Sequence, residues 1–197
     1  ISEEKSQEIR ELACKVFKAL GCNGVVRIDF MIDTKTDTVY ANEINTIPGS
    51  LAFYLWEATG VKYTELIDKL IDLALEEDIN TGDVTTESII PESMNAVATM
   101  TAKQEGVISG LEIVKMVYDY FQKDVVFTTY FNDGDCVKKG DVILKIEATY
   151  PTLLRGERLS LNIFQRMCGI ATETARYVKE LVGTSTELLD TRKTAPG

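Results

Sequence analysis

The chain contains no histidine among its 197 residues, so proton transfer would have to use carboxylates, lysine, tyrosine, cysteine or a substrate's own groups. Cysteine is scarce. Cys14, Cys22, Cys136 and Cys168 lie far apart without a C-x-x-C pair, so neither a disulfide framework nor a zinc site is suggested and reduced thiols are expected. No apolar run reaches the ~18 residues of a membrane span. The first residues, Ile-Ser-Glu-Glu, carry neither an initiator Met nor a signal sequence, so the expectation is a soluble, cytoplasmic polypeptide cut from something longer. Basic charge is also short. A net charge of −10 argues against nucleic-acid and anionic-membrane partners, both of which begin with a basic surface.

What is present suits a packed core: 45% of residues are hydrophobic, in a chain long enough for one large or two small domains. Charge is uneven along it. Residues 135–197 hold 10 basic and 8 acidic side chains while the rest is strongly acidic, which points to a local anion site near the end. Between the two ends lies Thr64–Asp78, where Leu66, Ile67, Leu70, Ile71, Leu73 and Ala74 recur at helical spacing and Thr64 is placed to cap. This predicts an amphipathic helix at which the chain changes subject.

Before it, Ser2 with Glu3 and Glu4 starts a helix whose stripe is Ile9, Leu12, Ala13, Val16, Phe17 and Leu20, closed by Gly21. Two strand-like runs follow, Val25–Ile32 and Thr38–Asn45, joined by a short loop at Asp33–Asp37. If the loop centres on Thr36, Asp29 stands opposite Glu43 and Arg27 opposite Asn45. Alternation would then put these four on one face and Val26, Ile28, Phe30, Ile32, Tyr40 and Ile44 on the packing face. Opposed carboxylates repel unless a cation lies between them, and magnesium accepts such hard oxygens. Spacing alone equally allows an exposed polar face on which Arg27 neutralises Asp29. Residues 51–59 read as a short helix ended by Gly60, with Phe53, Leu55 and Trp56 in the core.

The words Val26-Arg27-Ile28-Asp29-Phe30 and Asn42-Glu43-Ile44-Asn45-Thr46-Ile47-Pro48-Gly49-Ser50 resemble the end of D-alanine–D-alanine ligases of the ATP-grasp superfamily, over residues 1 to about 75. That resemblance implies Mg2+ held by Asp29, Glu43 and Asn45 between ATP phosphates, with Arg27 catalytic beside the Gly49 amide at the oxyanion formed by D-alanine attack. Tyr54 stands where many members carry a serine for the substrate carboxylate. The family's nucleotide pocket and first D-alanine site lie upstream of the matching part.

After the helix, Glu77–Thr86 is a loop of turn and capping residues. Met94–Ala102, Val125–Phe131 and Val142–Ala148 predict strands, Gly106–Ser109 a short extension, and Gly110–Phe121 a helix with Leu111, Val114, Val117, Tyr118 and Phe121 inward. This is an α+β sandwich with its sheet covered on one side. Asn132–Gly140 superficially matches the turns of biotinyl and lipoyl carriers, although Lys138 and Lys139 lack the usual flanking residues. Thr152–Met167 predicts a helix using Leu153, Leu154, Leu161, Phe164 and Met167 for packing. A second helix, Ala171–Leu181, follows Gly169, and a strand at Glu187–Asp190 leads into Thr191-Arg192-Lys193. Arg192 and Lys193 at a strand end are the better candidates for an acidic ligand, whereas Arg155, Arg166 and Arg176 read as a solvated flank.

Ala74-Leu75-Glu76-Glu77-Asp78, Gly82-Asp83-Val84-Thr85-Thr86, Gly156-Glu157-Arg158-Leu159-Ser160-Leu161-Asn162 and Asp190-Thr191-Arg192-Lys193-Thr194 resemble quinolinate phosphoribosyltransferase, the carboxylating nicotinate-nucleotide pyrophosphorylase. The resemblance implies an open α/β sandwich followed by the first elements of a partial α/β barrel, in a head-to-tail homodimer. Arg158, Thr191, Arg192 and Lys193 would bind quinolinate, Arg158 from the neighbouring subunit and Lys193 also catalytically. The family makes nicotinate mononucleotide from quinolinate and phosphoribosyl pyrophosphate with Mg2+, releasing carbon dioxide and pyrophosphate.

The fold expected is therefore α+β / α/β, with an ATP-grasp tail at 1–75 and the transferase part at 66–197, sharing helix 64–78. Both sites are expected to be incomplete in these 197 residues, so the isolated polypeptide is expected to be inactive. The competing readings are a non-enzymatic scaffold and a carrier-like module.

Overall fold

In a computed structural model of the chain, residues 1–46, 48–79, 88–91 and 93–189 are described. They form two compact units, one comprising Ile1–Leu66 and the other Ile67–Leu189, so the division falls inside a single helix.

The first unit opens with α1 (Glu3–Ala19), capped by Ser2, whose side chain accepts from the Lys5 amide, and led by Glu3 and Glu4 at the positive end of its dipole. Gly21 takes φ 61°, the left-handed turn that ends such helices. The apolar stripe is only half-buried and Leu20 is exposed, so α1 has no fully buried residue. Strands β1 (Arg27–Asp33) and β2 (Thr38–Asn45) pair antiparallel with Arg27 opposite Asn45, Ile28 opposite Ile44 and Asp29 opposite Glu43. Beyond that point a bulge shifts the register, so Phe30 meets Ala41 and Met31 meets Tyr40. The extra residue moves Tyr40 off the expected packing face, and Tyr40 and Met31 are both more than half exposed.

A 3-10 turn, Gly49–Ala52, leads into α2 (Phe53–Glu57). Leu51 and Ala52 both adopt left-handed backbone, at φ 55° and 52°, and both are buried. That conformation is costly for residues with a Cβ and is kept only where the surroundings fix it. It also inverts the expected packing. Leu51 and Ala52 are the buried pair, while Leu55 and Trp56 face outward because the turn reorients the short helix after them.

Helix α3 spans Tyr63–Ile79, placing Thr64 inside the first turn and not at the cap. Leu66, Ile67, Ile71 and Leu75 are buried, and Leu73 lies on the outer side with 49% exposure. Ile67, Ile71 and Leu75 follow an i, i+4 stripe from which Leu73 lies more than a quarter-turn away.

In the second unit, β3 (Asn95–Thr101), β7 (Val142–Thr149) and β5 (Val126–Thr129) make an antiparallel sheet with β7 central. A two-stranded ladder joins β4 (Gly106–Val107) to β6 (Cys136–Val137). Leu144, Ile146 and Ala148 of β7 alternate inward against α4 (Leu111–Phe121) and α5 (Tyr150–Glu180), while Lys145 and Glu147 pair at 2.8 Å on the other face. Val114 and Val117 are fully buried, and Tyr118 almost so, on the inner stripe of α4. Asp133, 22 and 23 residues downstream, caps α4 by accepting from the Gly110 and Leu111 amides at 2.9 and 3.2 Å.

Helix α5 is continuous for 31 residues, where a break at Gly169 was expected. Thr149 caps it and Pro151 occupies its first turn, where a missing N–H costs nothing. Its inner face, Leu153, Gly156, Ser160 and Phe164, continues through half-buried Cys168 and Thr172. Packing on both sides of Gly169 outweighs the ~1 kcal/mol that glycine costs a helix. Leu154 and Leu161, expected inside, lie on the outer flank of α5 with more than a third of their surface exposed. Glu187–Leu189 is irregular and not the predicted strand. Among the described residues the architecture is mixed α+β, without a closed barrel.

Candidate functional site

In the first unit the β1–β2 ladder lays Arg27, Asp29, Glu43 and Asn45 along one face, because positions 27 and 29 are two apart and each opposes its partner across the strands. Arg27 grips Asp29 with a two-point fork, Nε to Oδ1 at 3.1 Å and Nη2 to Oδ2 at 3.2 Å. The Asp29 carboxylate first, and Tyr54 after it, push the guanidinium pKa up from its ordinary value. Gly49 stands at the head of the 3-10 turn that delivers Tyr54.

The chemistry of this corner is hard-oxygen chemistry. Each oxygen of Asp29 keeps a lone pair after the fork, and Glu43 faces it across the ladder. Among the described residues no three or more His, Cys, Asp or Glu side chains gather as a metal cage. The hard oxygens of Asp29 and Glu43 fit a magnesium ion held by one or two carboxylates and completed by water and phosphate oxygens, the ion's usual arrangement.

In the second unit Arg158 projects from α5 with its side chain 73% exposed, and its Nη1 meets Asp78 Oδ1 of α3 at 2.6 Å. Gly156 lies two residues earlier on the inner face, where a Cβ would come within 2.6 Å of the Tyr118 ring. The close approach of α4 to α5 fixes the helix rotation that turns Arg158 outward. Ser160 Oγ lies 3.4 Å from the Tyr118 hydroxyl and 3.0 Å from the Glu157 carbonyl. Burial raises the Tyr118 pKa above its ordinary value, Ser160 opposing and Glu157 adding to the shift. Thr191, Arg192 and Lys193 lie outside the described residues.

Asp78 escaped the sequence reading as a partner of Arg158, since 80 residues separate them and a charge at a helix end reads as a dipole group. The Asp133 cap escaped too. A cap supplied from a distant loop leaves no local spacing to recognise.

The D-ala D-ala ligase C-terminus family matches residues 1–72, and the quinolinate phosphoribosyl transferase N-terminal domain family matches residues 83–168. A D-alanine–D-alanine ligase B of Clostridium tetani is 49% identical over 79 residues, 38% of this chain and 22% of that protein. A probable carboxylating nicotinate-nucleotide pyrophosphorylase of Bacillus subtilis is 39% identical over 131 residues, 66% of this chain and 45% of that protein. The solved structure of NadC from Streptococcus pyogenes is similar at a TM-score of 0.63 and 37% identity, over 66% of this chain and 46% of that one. The chain thus spans less than half the length of the curated relatives it matches. Neither the scaffold nor the carrier reading is favoured by these matches, and Asn132–Gly140 falls within the 83–168 match. Among the described residues no helix is long and apolar enough to cross a membrane. The chain is similar in its first 72 residues to the C-terminus of D-alanine–D-alanine ligases and over 83–168 to the N-terminal domain of quinolinate phosphoribosyltransferases, two families in succession in one polypeptide.

Proposed function

We propose that the second part supplies a pyridine-dicarboxylate half-site of a phosphoribosyltransferase, with Arg158, Thr191, Arg192 and Lys193 as its ligand-binding residues. The observation behind it is Arg158, an exposed arginine held in place by Asp78 on a helix whose sequence matches the transferase family. Cationic side chains suit a dianionic substrate and the negative charge that develops on decarboxylation, and Lys193 is the residue proposed to stabilise that charge. Arg158 acts on the site of a second subunit in this reading, so the binding form is a homodimer. Phosphoribosyl pyrophosphate and its Mg2+ require groups beyond these.

Each charge-assisted hydrogen bond contributes about 1.5–3 kcal/mol before ordering costs, which places quinolinate affinity near the millimolar range. Calorimetric titration of the chain, of Arg158→Ala and of Arg192→Ala with Lys193→Ala is the test. Loss of binding in both variants supports the site, and equal, salt-insensitive binding by all three proteins sinks it.

A second reading rests on the Arg27–Asp29–Glu43 corner. Asp29, Glu43 and Asn45 would hold the Mg2+ that ATP phosphates complete, and such an ion neutralises and orients phosphate oxygens when bound. Arg27 and the Gly49 amide would face the developing oxyanion, with Tyr54 at the D-alanine carboxylate. The proposed boundaries are 1–75 and 66–197, sharing helix 64–78. Alignments covering 66% and 38% of the chain together exceed its length, which supports a shared segment. Sequencing genomic DNA across codons 64–78 tests the join. By itself the 197-residue chain is proposed to turn over neither quinolinate nor ATP with D-alanine, and turnover of either by the purified protein overturns that proposal.

A further inference from the structure

We infer that Arg27 is a built-in competitor for the divalent cation at Asp29: guanidinium and metal exchange on one carboxylate. The inference rests on the magnesium reading of Asp29 and Glu43 and adds to it how the site is occupied before metal arrives.

Three observations carry it. Arg27 spends two N–H groups on the two oxygens of Asp29, at 3.1 and 3.2 Å, and so covers the edge by which a carboxylate best receives a cation. A magnesium ion must approach oxygen to about 2.0–2.1 Å, and a dication at that distance repels a guanidinium on the same group. Second, one arginine faces two carboxylates, because Glu43 stands directly across from Asp29. The pair keeps a negative surplus that a dication satisfies better than a guanidinium does. Third, the side chains differ in access: Arg27 is 24% exposed and Asp29 44%, so an ion can reach the carboxylate from solvent while the arginine stays shielded. Breaking the fork leaves the largely shielded guanidinium as a positive charge beside the loaded metal.

The experiment uses Mn2+ as the probe, with affinity read by calorimetry and by the free-ion EPR signal on the full chain. Its four proteins are the parent, Arg27→Met, Arg27→Lys, and Asp29→Asn combined with Glu43→Gln. Arg27→Met is expected to bind Mn2+ about tenfold more tightly than the parent, by removal of a near cationic charge. Arg27→Lys keeps the charge without the fork and is expected to lie between them. The double carboxylate variant is expected to lose binding. In the parent, saturating Mg2+ is expected to shift the Arg27 Nε–H resonance, assigned by its absence in Arg27→Lys.

If Arg27→Met binds no more tightly than the parent while the double variant still loses binding, the competitor inference fails and the metal reading stands. Should all four proteins behave alike, the metal reading fails and takes the inference with it. If Arg27→Met does not keep the hairpin by NMR, the parent's Nε–H decides: a resonance unmoved at saturating Mg2+ overturns the exchange, and a shifted one supports it.

Discussion

The two units use different means to hold their shape. In the first, among the described residues, Leu51, Ala52 and Leu66 are the buried hydrophobics, and α1 contributes none. Its long-range polar anchor is Lys5, which donates to the Asp37 carbonyl at 2.8 Å and pairs with the Asp37 carboxylate at 2.7 Å. Surface pairs of this kind stabilise by about 0–1 kcal/mol. The second unit has a contiguous core from Ala102 to Phe164, with Val114 and Leu144 wholly sealed. The polar corner at Arg27 thus sits on a lightly buried platform, whereas Arg158 projects from a helix anchored along its inner face. A site meant to exchange cations tolerates the first arrangement. One that presents an arginine in a fixed direction needs the second.

The largest expected effect that sharpens this comparison is a truncation in each unit. Phe164→Ala removes a ring from the sealed core and is expected to cost about 3–5 kcal/mol. Phe17→Ala in α1, where the ring is half-buried, is expected to cost less than half as much. Urea denaturation followed by residue-resolved NMR separates the two. Equal costs would break the contrast between the units.

Next in size is Gly156→Ala. The added Cβ would meet the Tyr118 ring at 2.6 Å, so α4 and α5 must separate or the ring must leave its rotamer, at about 1–3 kcal/mol. The same substitution at Gly169, on the same helix with nothing within 4 Å, is expected to stabilise slightly, since alanine is the better helix former. A thermal melt of both variants reads the difference in sign. Destabilisation at both positions would show that the helix is not continuous through Gly169.

A smaller effect is expected at Asp133. Replacing it with alanine strips two amides at the α4 start of their acceptor, for about 0.5–2 kcal/mol, and hydrogen exchange should rise first at Gly110 and Leu111. Uniform exchange across α4 would assign the cost to something other than the cap.

Local signals in the chain carried far, and they failed for identifiable reasons. Ser2 with its acidic first turn, the Asp33–Asp37 loop and the strand-forming run at Val142–Ala148 are short-range features, and each is where the local pattern put it. The hairpin register held through Arg27, Asp29 and Glu43 because the charged face depends only on pairing near the open end. It slipped beyond Asp29, since nothing in the apolar pattern marks the bulge that turns Tyr40 outward. The helix at Gly169 was misread because a propensity penalty is local while the packing that overrides it comes from Cys168 and Thr172 against Ser109 and Val107. For the candidate sites, hairpin spacing brought Arg27, Asp29, Glu43 and Asn45 together, whereas the part played by Arg158 came from family words, which contain no information on its partner. The Arg158–Asp78 pair comes only from three-dimensional arrangement.

The smallest effect concerns pH and separates the units once more. Tyr118 and Cys168 both lie in the second unit, and in both burial is the main cause of a pKa raised from ordinary values of 10.0 and 9.0. A raised acid stays protonated in the fold while the unfolded chain already ionises. Their stabilisation is therefore complete below the ordinary values and is lost as pH rises through them toward the raised ones. Thermal melts between pH 8 and pH 11 should fall more steeply for the parent than for Tyr118→Phe, with Cys168→Ala flattening the lower part of the decline. Lysine deprotonation affects all three proteins alike and drops out of the difference. The first unit lacks a buried group of this kind among its described residues, so its hairpin amides should report the same pH dependence in parent and variants. Parallel curves for the parent and Tyr118→Phe would mean that water reaches the Tyr118 hydroxyl in the native state, and that the seal between α4 and α5 at Gly156 is looser than the packing there implies.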